Sequence, residues 1–360
     1  MWRDKRLMDR LGIRHPIVQA PMAGAATPAM AAAAANAGAL GGLGVALMTP
    51  EAAVAACKEA QGATNGAISI NFFCHEPPRR DAAREQASID RLAPYYAEFG
   101  LDYAEFGLGA PAAPTAGPGF GEAQLEAALA AAPPVVSFHF GLPAPALLAP
   151  LKAAGIFIMS SATSPKEAEA LEAAGADAII AQGWEAGGHR GAFNPDESWG
   201  EMGTMALVPA IVDRVSVPVI AAGGIGDGRG VAAALMLGAA GVQIGTAFLT
   251  SPEASVRAPH KAALLSSDGA DTVVTTAFSG RPARGIRNRY IEETADMVWA
   301  DFPLMNPLTR PLRNACADAD SADFLSLWAG QAVGLNRRTE GTGAIVSRIA
   351  AEAQALLNGG

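Results

Sequence analysis

Two histidines stand in segments whose composition suits chemistry better than packing. His189 lies in "AQGWEAGGHRGAF" (residues 181–193), where Gly187 and Gly188 precede it and leave the main chain open to a ligand. His139 lies in "SFHFGLP", at the end of a short apolar run. An imidazole gains or loses a proton near neutral pH, so either ring can abstract a proton or stabilise an anionic substrate. We expect both histidines to be catalytic; for His139, a core position bonded to the backbone is an equal alternative.

Glycine-containing strand ends indicate a second kind of site. Gly223 and Gly224 end the apolar run "PVIAAGG", and Gly245 and Thr246 lie in the next run, "GVQIGTAF". Backbone N–H groups that no large side chain covers bind phosphate well, and barrel enzymes often place two such loops side by side. The alternative is that these glycines only make tight turns. Two neighbouring loops built alike favour a phosphate site.

Amide side chains and small residues end other apolar runs. Asn71 and Gln182 carry donors and acceptors suited to the polar edge of a heterocycle, although each amide taken alone is better explained by a structural hydrogen bond. The segment "QAPMAG" lets the main chain approach a flat ring closely. Together they describe a planar, amide-reading cofactor with one phosphate, and flavin mononucleotide (FMN) fits that description. The predicted cofactor-binding residues are Pro21, Met22, Ala23, Asn71, Gln182, Gly187, Gly188, Gly223, Gly224, Gly245 and Thr246.

Short apolar runs bounded by glycine or proline must position these residues. The runs do not alternate apolar with polar residues, which is typical of strands covered on both faces, and helix-like segments such as "SPKEAEALEAAGA" separate them. Eight such units over about 250 residues predict a (β/α)8 (TIM) barrel, an α/β fold whose active site lies where the strands end. An open doubly wound sheet is the alternative, but no GxGxxG follows any run. The predicted strands cover residues 16–22, 39–44, 67–73, 135–141, 155–162, 178–183, 218–224 and 241–248.

The spacing of the runs also predicts a division of the chain. Residues 1–250 are expected to form the FMN-binding barrel, with an insertion at about 75–134 that holds a helix or two and a mobile Pro- and Gly-rich loop. Residues 251–345 are expected to form a smaller, mostly helical second domain over the C-terminal mouth of the barrel, where it contributes to substrate binding. Residues 346–360 are expected to form a C-terminal tail.

Composition excludes several classes of function. The chain has 360 residues, half of them hydrophobic, and a net charge of −9, which disfavours nucleic acid and anionic membranes as partners. Its three cysteines lie far apart, no metal-binding pattern such as HExxH occurs, and no secretory signal is visible, so we predict no metal and a cytoplasmic location. No GxSxG elbow supports serine-hydrolase chemistry.

Seven segments follow one another from about residue 10 to residue 290: "QAPMAG", "NFF", "SFHFG", "QGWEAGGHRG", "PVIAAGGIGDGRG", "GVQIGTAFL" and "FSGRPARGI". With "SLWAGQ" at 326–331, this set resembles the nitronate monooxygenase (2-nitropropane dioxygenase) family, in particular its bacterial class. The resemblance implies an FMN-dependent oxidoreductase that oxidises alkyl nitronates, such as propionate 3-nitronate, with O2 to a carbonyl compound and nitrite. It implies that His189 corresponds to the family's active-site histidine, which is the base in members that also accept neutral nitroalkanes. It also implies that His139 is a second pocket histidine. By this resemblance, the partners of the protein would be a small-molecule nitronate and O2. The protein would act as a monomer or homodimer in nitroalkane detoxification.

Two other functions stay open at this point. The FMN-dependent enoyl-acyl-carrier-protein reductases, which use NAD(P)H, share "EAGGH" and the glycine loops, whereas the histidine of "SFHFGLP" favours the monooxygenases. A non-catalytic barrel that binds a phosphorylated ligand is the second alternative. The family's pocket tyrosines are not matched: Tyr103 and Tyr290 are possible substitutes, and Phe302 stands where a tyrosine is expected.

We expect a protonated His189 beside the bound nitronate.

Overall fold

The structure, a computed structural model, describes residues 2, 4–103, 105 and 119–359. Its strands are β1 (Ile17–Gln19), β2 (Gly41–Gly44), β3 (Ile68–Phe73), β4 (Val135–His139), β5 (Phe157–Ala162), β6 (Ala178–Gln182), β7 (Gly188–His189), β8 (Val219–Ala222), β9 (Gly241–Ile244), β10 (Thr272–Thr275) and β11 (Ala283–Ile286). Its α-helices are α1 (Arg6–Leu11), α2 (Pro28–Asn36), α3 (Pro50–Gly62), α4 (Ala82–Glu98), α5 (Glu122–Ala131), α6 (Pro145–Ala153), α7 (Pro165–Ala173), α8 (Thr204–Val212), α9 (Gly228–Met236), α10 (Ala258–Ser266), α11 (Arg289–Glu293), α12 (Met305–Asp318) and α13 (Thr342–Asn358).

Eight of the strands form one parallel sheet in the order β1-β9-β8-β6-β5-β4-β3-β2. β1 pairs with β9, and a parallel bridge between Val18 and Leu40 joins β1 to the residue before β2, so the sheet closes into a barrel. Every residue of β2, β5, β6 and β8 is buried, as expected for strands with helices on one face and the barrel interior on the other. The predicted (β/α)8 barrel and its eight strands are therefore confirmed.

Several helices begin at side-chain caps that the sequence provides. The side chain of Ser164 accepts a hydrogen bond from the Glu167 N–H at 3.2 Å, and Pro165 occupies the first turn of α7, as the sequence predicts. Thr27 caps α2 in the same way. These caps fix the points at which α2 and α7 begin.

The C-terminal helix belongs to the barrel. α13 packs against α9 and α2, and its Ile345, Val346 and Ile349 are part of the barrel's hydrophobic core. Residues 346–358 are therefore part of the helical layer around the barrel and not the tail that the sequence suggested. Apolar residues three and four positions apart place one buried stripe along this helix, which explains the packing.

A second hydrophobic core lies beside the barrel and includes both the insertion and the segment after β9. Leu92 and Tyr96 of α4 cluster with Trp299 and Leu312, and the Tyr96 hydroxyl donates to the Leu308 carbonyl at 2.7 Å. The other helix of the insertion, α5, packs against α3 and α6 and so belongs to the barrel layer. The expected Pro- and Gly-rich loop at 109–121 lies outside the described residues as far as residue 118.

A small antiparallel sheet connects this second core to the barrel. β10 pairs with β11, and β11 pairs with β7. In the second pair, His189 lies opposite Ala283 and Gly188 opposite Arg284. The segment after the barrel, expected to be mostly helical, thus also contains two strands, and one of them holds the strand that carries His189.

Within the described ranges, no helix has the length and apolar character needed to cross a bilayer. Among the same residues, no three His, Cys, Asp or Glu side chains are grouped so that they could hold a metal ion.

Candidate active site

The expected site residues gather at the carboxyl ends of the barrel strands. Asn71 lies in β3, His139 ends β4 and Gln182 ends β6, while Gly223 follows β8 and Gly245 follows β9. Because all eight strands are parallel, these ends surround one mouth. His189 joins them through the extra strand β7, whose pairing with β11 places it under the segment that follows the barrel.

His189 lies among aromatic rings. Its ring centroid is 5.5 Å from that of Phe302 and 5.8 Å from that of Trp328, and Phe73 and Phe140 lie at 6.2 and 6.1 Å. Its Nε2 is 2.9 Å from the hydroxyl oxygen of Ser279. The described residues therefore place the imidazole between apolar walls, with one ring nitrogen held by a serine.

The electrostatic surroundings keep His189 neutral. Burial is the main cause that lowers its pKa to about 3, and the charges of His139, Arg281 and Arg313 lower it further. An imidazole with that pKa is uncharged at pH 7. The ligand-free protein therefore holds a neutral His189, because desolvation and nearby positive charges both oppose the imidazolium. A protonated His189 beside a bound nitronate stays a prediction.

His139 uses both of its ring nitrogens within the protein. Nε2 lies 3.1 Å from the His189 carbonyl oxygen, which only accepts, so Nε2 carries the proton. Nδ1 lies 2.5 Å from the Ser161 hydroxyl, which donates to it. Burial lowers the pKa of His139 to about 4. This geometry makes His139 a support for the backbone of His189 and realises the alternative of a backbone-bonded histidine.

Gln182 clamps the same backbone. Its Nε2 donates to the His189 carbonyl at 2.9 Å, and its Oε1 accepts from the Gly191 N–H at 2.7 Å. The described contacts of this amide are thus structural hydrogen bonds, which is the explanation that the sequence favours for Gln182 taken alone. Arg190, only 1% exposed, completes the clamp by donating to the carbonyls of Gly183 and Gly200 at 2.8 and 2.7 Å.

The two glycine-containing loops can form a phosphate cradle. Gly223 and Gly224 have φ angles of +103° and +72°, which favour glycine. The N–H groups of Gly224 and Thr246 donate no hydrogen bond to another described residue. Free backbone donors on adjacent strand ends fit an anion such as phosphate.

The first strand end lies next to the cradle, because β1 pairs with β9. Pro21, Met22 and Ala23 are half-buried, and a Cβ built on Gly245 would lie 3.5 Å from the Met22 sulfur. A Cβ on Gly44 would lie 2.5 Å from the Ala23 nitrogen, so glycine in β2 permits this close approach.

Asn71 stands between the first strand end and the histidines. It is 7% exposed, and its Nδ2 donates to the Ser137 hydroxyl at 3.0 Å. Its Oδ1 accepts no hydrogen bond from the described residues and is the part of this amide that remains for a ligand.

The "SLWAGQ" segment connects the loops that follow β6 and β9. The Gly330 N–H donates to the Thr246 hydroxyl oxygen at 3.0 Å, and the Gln331 N–H donates to the Glu185 carbonyl at 2.9 Å. A Cβ on Gly187 would lie 2.5 Å from the Gly330 nitrogen. The absence of a side chain at Gly187 therefore allows two stretches of main chain to pack closely. This packing brings the "SLWAGQ" segment next to Gly188 and His189.

Two arginines, Arg281 and Arg284, anchor the segment after the barrel. Arg281 donates to the Ala192 carbonyl, and its guanidinium carbon lies 3.9 Å from the centre of the Phe140 ring. Arg284 donates to the Trp184 carbonyl at 3.0 Å.

The two tyrosines proposed as pocket members lie in the second core. The hydroxyl of Tyr103 donates to the Ile89 carbonyl and that of Tyr290 to the Ala277 carbonyl, each at 3.0 Å. Phe302 does face His189, so aromatic carbon replaces the expected hydroxyl there.

Sequence reasoning missed the two serines that bond the histidine rings. Ser161 is the last residue but one of β5, and Ser279 lies in "FSGRPARGI". A serine carries no recognisable signal by itself. For Ser279, the segment "FSGRPARGI" is part of the family resemblance, but the pairing of β11 with β7 depends on the tertiary fold.

Comparison with known proteins decides the family. The family model "Nitronate monooxygenase" matches residues 4–352. The chain belongs to the nitronate monooxygenase family. It is 44% identical to a nitronate monooxygenase of Pseudomonas aeruginosa, over 92% of this chain and 94% of the relative. It is 43% identical to a nitronate monooxygenase of Paraburkholderia phytofirmans, over 92% and 91% of the two chains.

Solved structures agree with this placement. Nitroalkane oxidase from Streptomyces ansochromogenes has a TM-score of 0.89 and 38% identity, over 98% of this chain and 99% of that one. FabK from Thermotoga maritima has a TM-score of 0.75 and 30% identity, over 100% and 98%. Since the family consists of FMN-dependent oxidoreductases, the chain is an oxidoreductase. A barrel that binds a ligand without catalysis loses its support.

Proposed function

We propose that this enzyme catalyses the FMN-dependent oxidation of alkyl nitronates, such as propionate 3-nitronate, by O2, giving a carbonyl compound and nitrite. Family membership supports the reaction class. The observation that carries the proposal is a neutral histidine, His189, which faces aromatic walls beside buried guanidinium groups. We further propose that the enzyme acts in the cytoplasm as a monomer or homodimer.

The cradle at the barrel mouth fits FMN. Gly223, Gly224, Gly245 and Thr246 would hold its phosphate, since their loops offer free backbone donors and little side-chain bulk. Pro21, Met22, Ala23 and Asn71 would hold its ring system, and Asn71 Oδ1 is the polar atom that remains for it. When bound, FMN supplies the electron acceptor for the substrate and the site at which O2 is reduced.

Positive charge at the site supports an anionic substrate. Arg281 and Arg313 both lower the pKa of His189 and so lie close to it. Each has a buried Nε that lacks a hydrogen bond in the described part of the chain, and neither forms an ion pair there within 4.0 Å. Asp301, Glu167 and Asp196 act on Arg281 only from beyond that distance. A buried cation that no carboxylate contacts directly is stabilised by an incoming anion. A bound nitronate would in turn raise the pKa of His189.

The neutral state of His189 suits a second substrate class. A neutral imidazole can remove the α-proton of an uncharged nitroalkane and form the nitronate in place. Phe73, Phe140, Phe302 and Trp328 surround the ring and exclude water from that proton. We therefore propose that neutral nitroalkanes are accepted, more slowly than nitronates.

A nitrite assay with and without NADH tests this function. Purified protein that shows a flavin spectrum should release nitrite and consume O2 with propionate 3-nitronate when NADH is absent. Release that requires NADH, or no release from a flavin-loaded protein, would refute the proposal.

The second candidate is the FMN-dependent enoyl-acyl-carrier-protein reductase. The likeness to FabK from Thermotoga maritima, at 30% identity over the whole of this chain, favours testing it. That activity would consume NAD(P)H with an enoyl thioester and leave nitronates unchanged. Measuring both substrates on one preparation separates the two functions.

A further inference from the structure

Ser279 contacts the ring of His189 directly. Its hydroxyl oxygen is 2.9 Å from His189 Nε2. Ser279 is 1% exposed and comes two residues before Arg281, in the turn that leads into β11. Gly280 has a φ of +85°, which allows this turn to pack against the main chain near Ala300. The described partners of the hydroxyl are the imidazole of His189 and the main chain of Arg281.

The hydrogen bonds around Ser279 decide where its proton points. The Arg281 N–H donates to the Ser279 oxygen at 3.3 Å, and the Ser279 hydroxyl donates to the Arg281 carbonyl at 3.2 Å. No other donor within the described residues reaches that carbonyl. If the hydroxyl donated to His189 instead, the carbonyl of the buried Arg281 would lose its one partner among the described residues, which is costly. The Ser279 oxygen is therefore an acceptor for His189.

The opposite ring nitrogen is then defined by elimination. A neutral imidazole carries one proton, and an acceptor at Ser279 places it on Nε2. Nδ1 makes no hydrogen bond to a described residue and is not among the enclosed nitrogens that lack a partner. Nδ1 is thus the basic nitrogen and retains access to the site.

We propose that Ser279 is a positioning residue that holds His189 in the Nε2–H tautomer and so presents Nδ1 as the base. The catalytic consequence rests on the proposed function. In the proton transfer, the α-carbon–hydrogen bond of the nitroalkane breaks, its electron pair forms the C=N bond of the nitronate, and the proton binds Nδ1. The resulting imidazolium keeps its Nε2–H bond to Ser279, so no hydroxyl has to rotate during the step.

Ser161 offers a matched control. It is buried like Ser279, at 3% exposure, and its hydroxyl also bonds a histidine ring, at 2.5 Å from His139 Nδ1. It donates that hydrogen bond, whereas Ser279 accepts one. A Ser161→Ala variant therefore removes an equivalent buried hydroxyl without touching the tautomer of His189.

The direct test is a nitrogen-15 NMR measurement of the histidine tautomers in the flavin-loaded enzyme. His189→Asn identifies the signals of His189 by their loss. The inference predicts a proton on Nε2 and a bare Nδ1 in the wild type and in Ser161→Ala. It predicts a shift of the proton towards Nδ1 in Ser279→Ala. A proton on Nδ1 in the wild type would overturn the inference even if no variant folds.

Kinetics give the second readout. The ratio of kcat/KM for a neutral nitroalkane to that for its nitronate should fall about tenfold in Ser279→Ala, because only the nitroalkane needs the base. Ser161→Ala should lower this ratio less, and Ser279→Thr, which keeps the hydroxyl, should restore it. An unchanged ratio together with an unchanged tautomer in Ser279→Ala contradicts the inference. Failure of the enzyme with both substrates would refute the proposed function and leave the NMR result to decide the role of Ser279.

Discussion

The acidity of His189 predicts an unusual pH profile for neutral nitroalkanes. Only neutral His189 can accept the α-proton, so kcat/KM follows the fraction of free enzyme with an uncharged ring. Burial and the charges of His139, Arg281 and Arg313 lower the pKa of His189 to about 3. The ring therefore stays neutral throughout the range in which an ordinary histidine titrates.

The size of the effect follows from the two pKa values. A histidine with the ordinary pKa of about 6.5 would be roughly 91% neutral at pH 7.5 and roughly 9% neutral at pH 5.5, so the rate would fall about tenfold. With a pKa of about 3 for His189, the neutral fraction exceeds roughly 99% at both pH values. The account thus predicts a flat profile in place of a tenfold fall.

Initial rates of nitrite release from a nitroalkane, measured from pH 5.5 to 7.5 at low substrate concentration, give this profile. A nitronate measured in parallel controls for flavin loss and for acid inactivation. A fall of about tenfold centred near pH 6.5 for the nitroalkane alone would show that His189 titrates normally, and the electrostatic reasoning would be refuted.

Three other changes have expected outcomes. His189→Asn keeps an amide donor near Ser279 but removes the base, so nitroalkane kcat/KM should fall about 10²–10⁴-fold; an unchanged value removes His189 from that role. Gly187→Ala places a Cβ 2.5 Å from the Gly330 nitrogen and should cost about 1–3 kcal/mol in thermal unfolding, whereas Gly62→Ala, with nothing within 4 Å, should cost nothing. Because His139 and His189 have native pKa values of about 4 and 3, below the unfolded value, they stabilise the fold fully only above about pH 6.5. Denaturant unfolding should show stability falling by about 1.4 kcal/mol per pH unit for each of these histidines as the pH drops through 6 towards 4; constant stability there would contradict their burial.

The barrel could be predicted because its signals are local. Runs such as "AIIAQG" and "PVIAAGG" are apolar on both faces, and caps such as Ser164 with Pro165 mark where helices begin. These patterns depend on a few neighbouring residues and survive without knowledge of the tertiary fold. The closing helix could also have been read, since Ile345, Val346 and Ile349 show the spacing of a buried stripe.

The strand that carries His189 could not be predicted. β7 has only two residues, one of them glycine, and neither composition nor period indicates a strand there. It exists because β11, almost 100 residues later, supplies its hydrogen-bond partners. The long-range pairing therefore decides the orientation of the imidazole.

The chemistry of the site was predicted in kind but not in state. Residue types alone lead to the predictions of His189 as the base, of a phosphate cradle in the glycine-containing loops and of FMN as the cofactor. The protonation of His189 depends on how deeply the ring is buried and on Arg281 and Arg313, which come from distant segments. The part played by Gln182 likewise depends on a contact, the His189 carbonyl, that no local pattern reveals.

The most direct measurement of the central claim is anaerobic reduction of the purified flavoprotein by propionate 3-nitronate without NADH. We expect the visible absorbance of the bound flavin to bleach on mixing, and to return together with nitrite when O2 is admitted. A flavin that bleaches with NADH but keeps its absorbance with the nitronate would contradict the account.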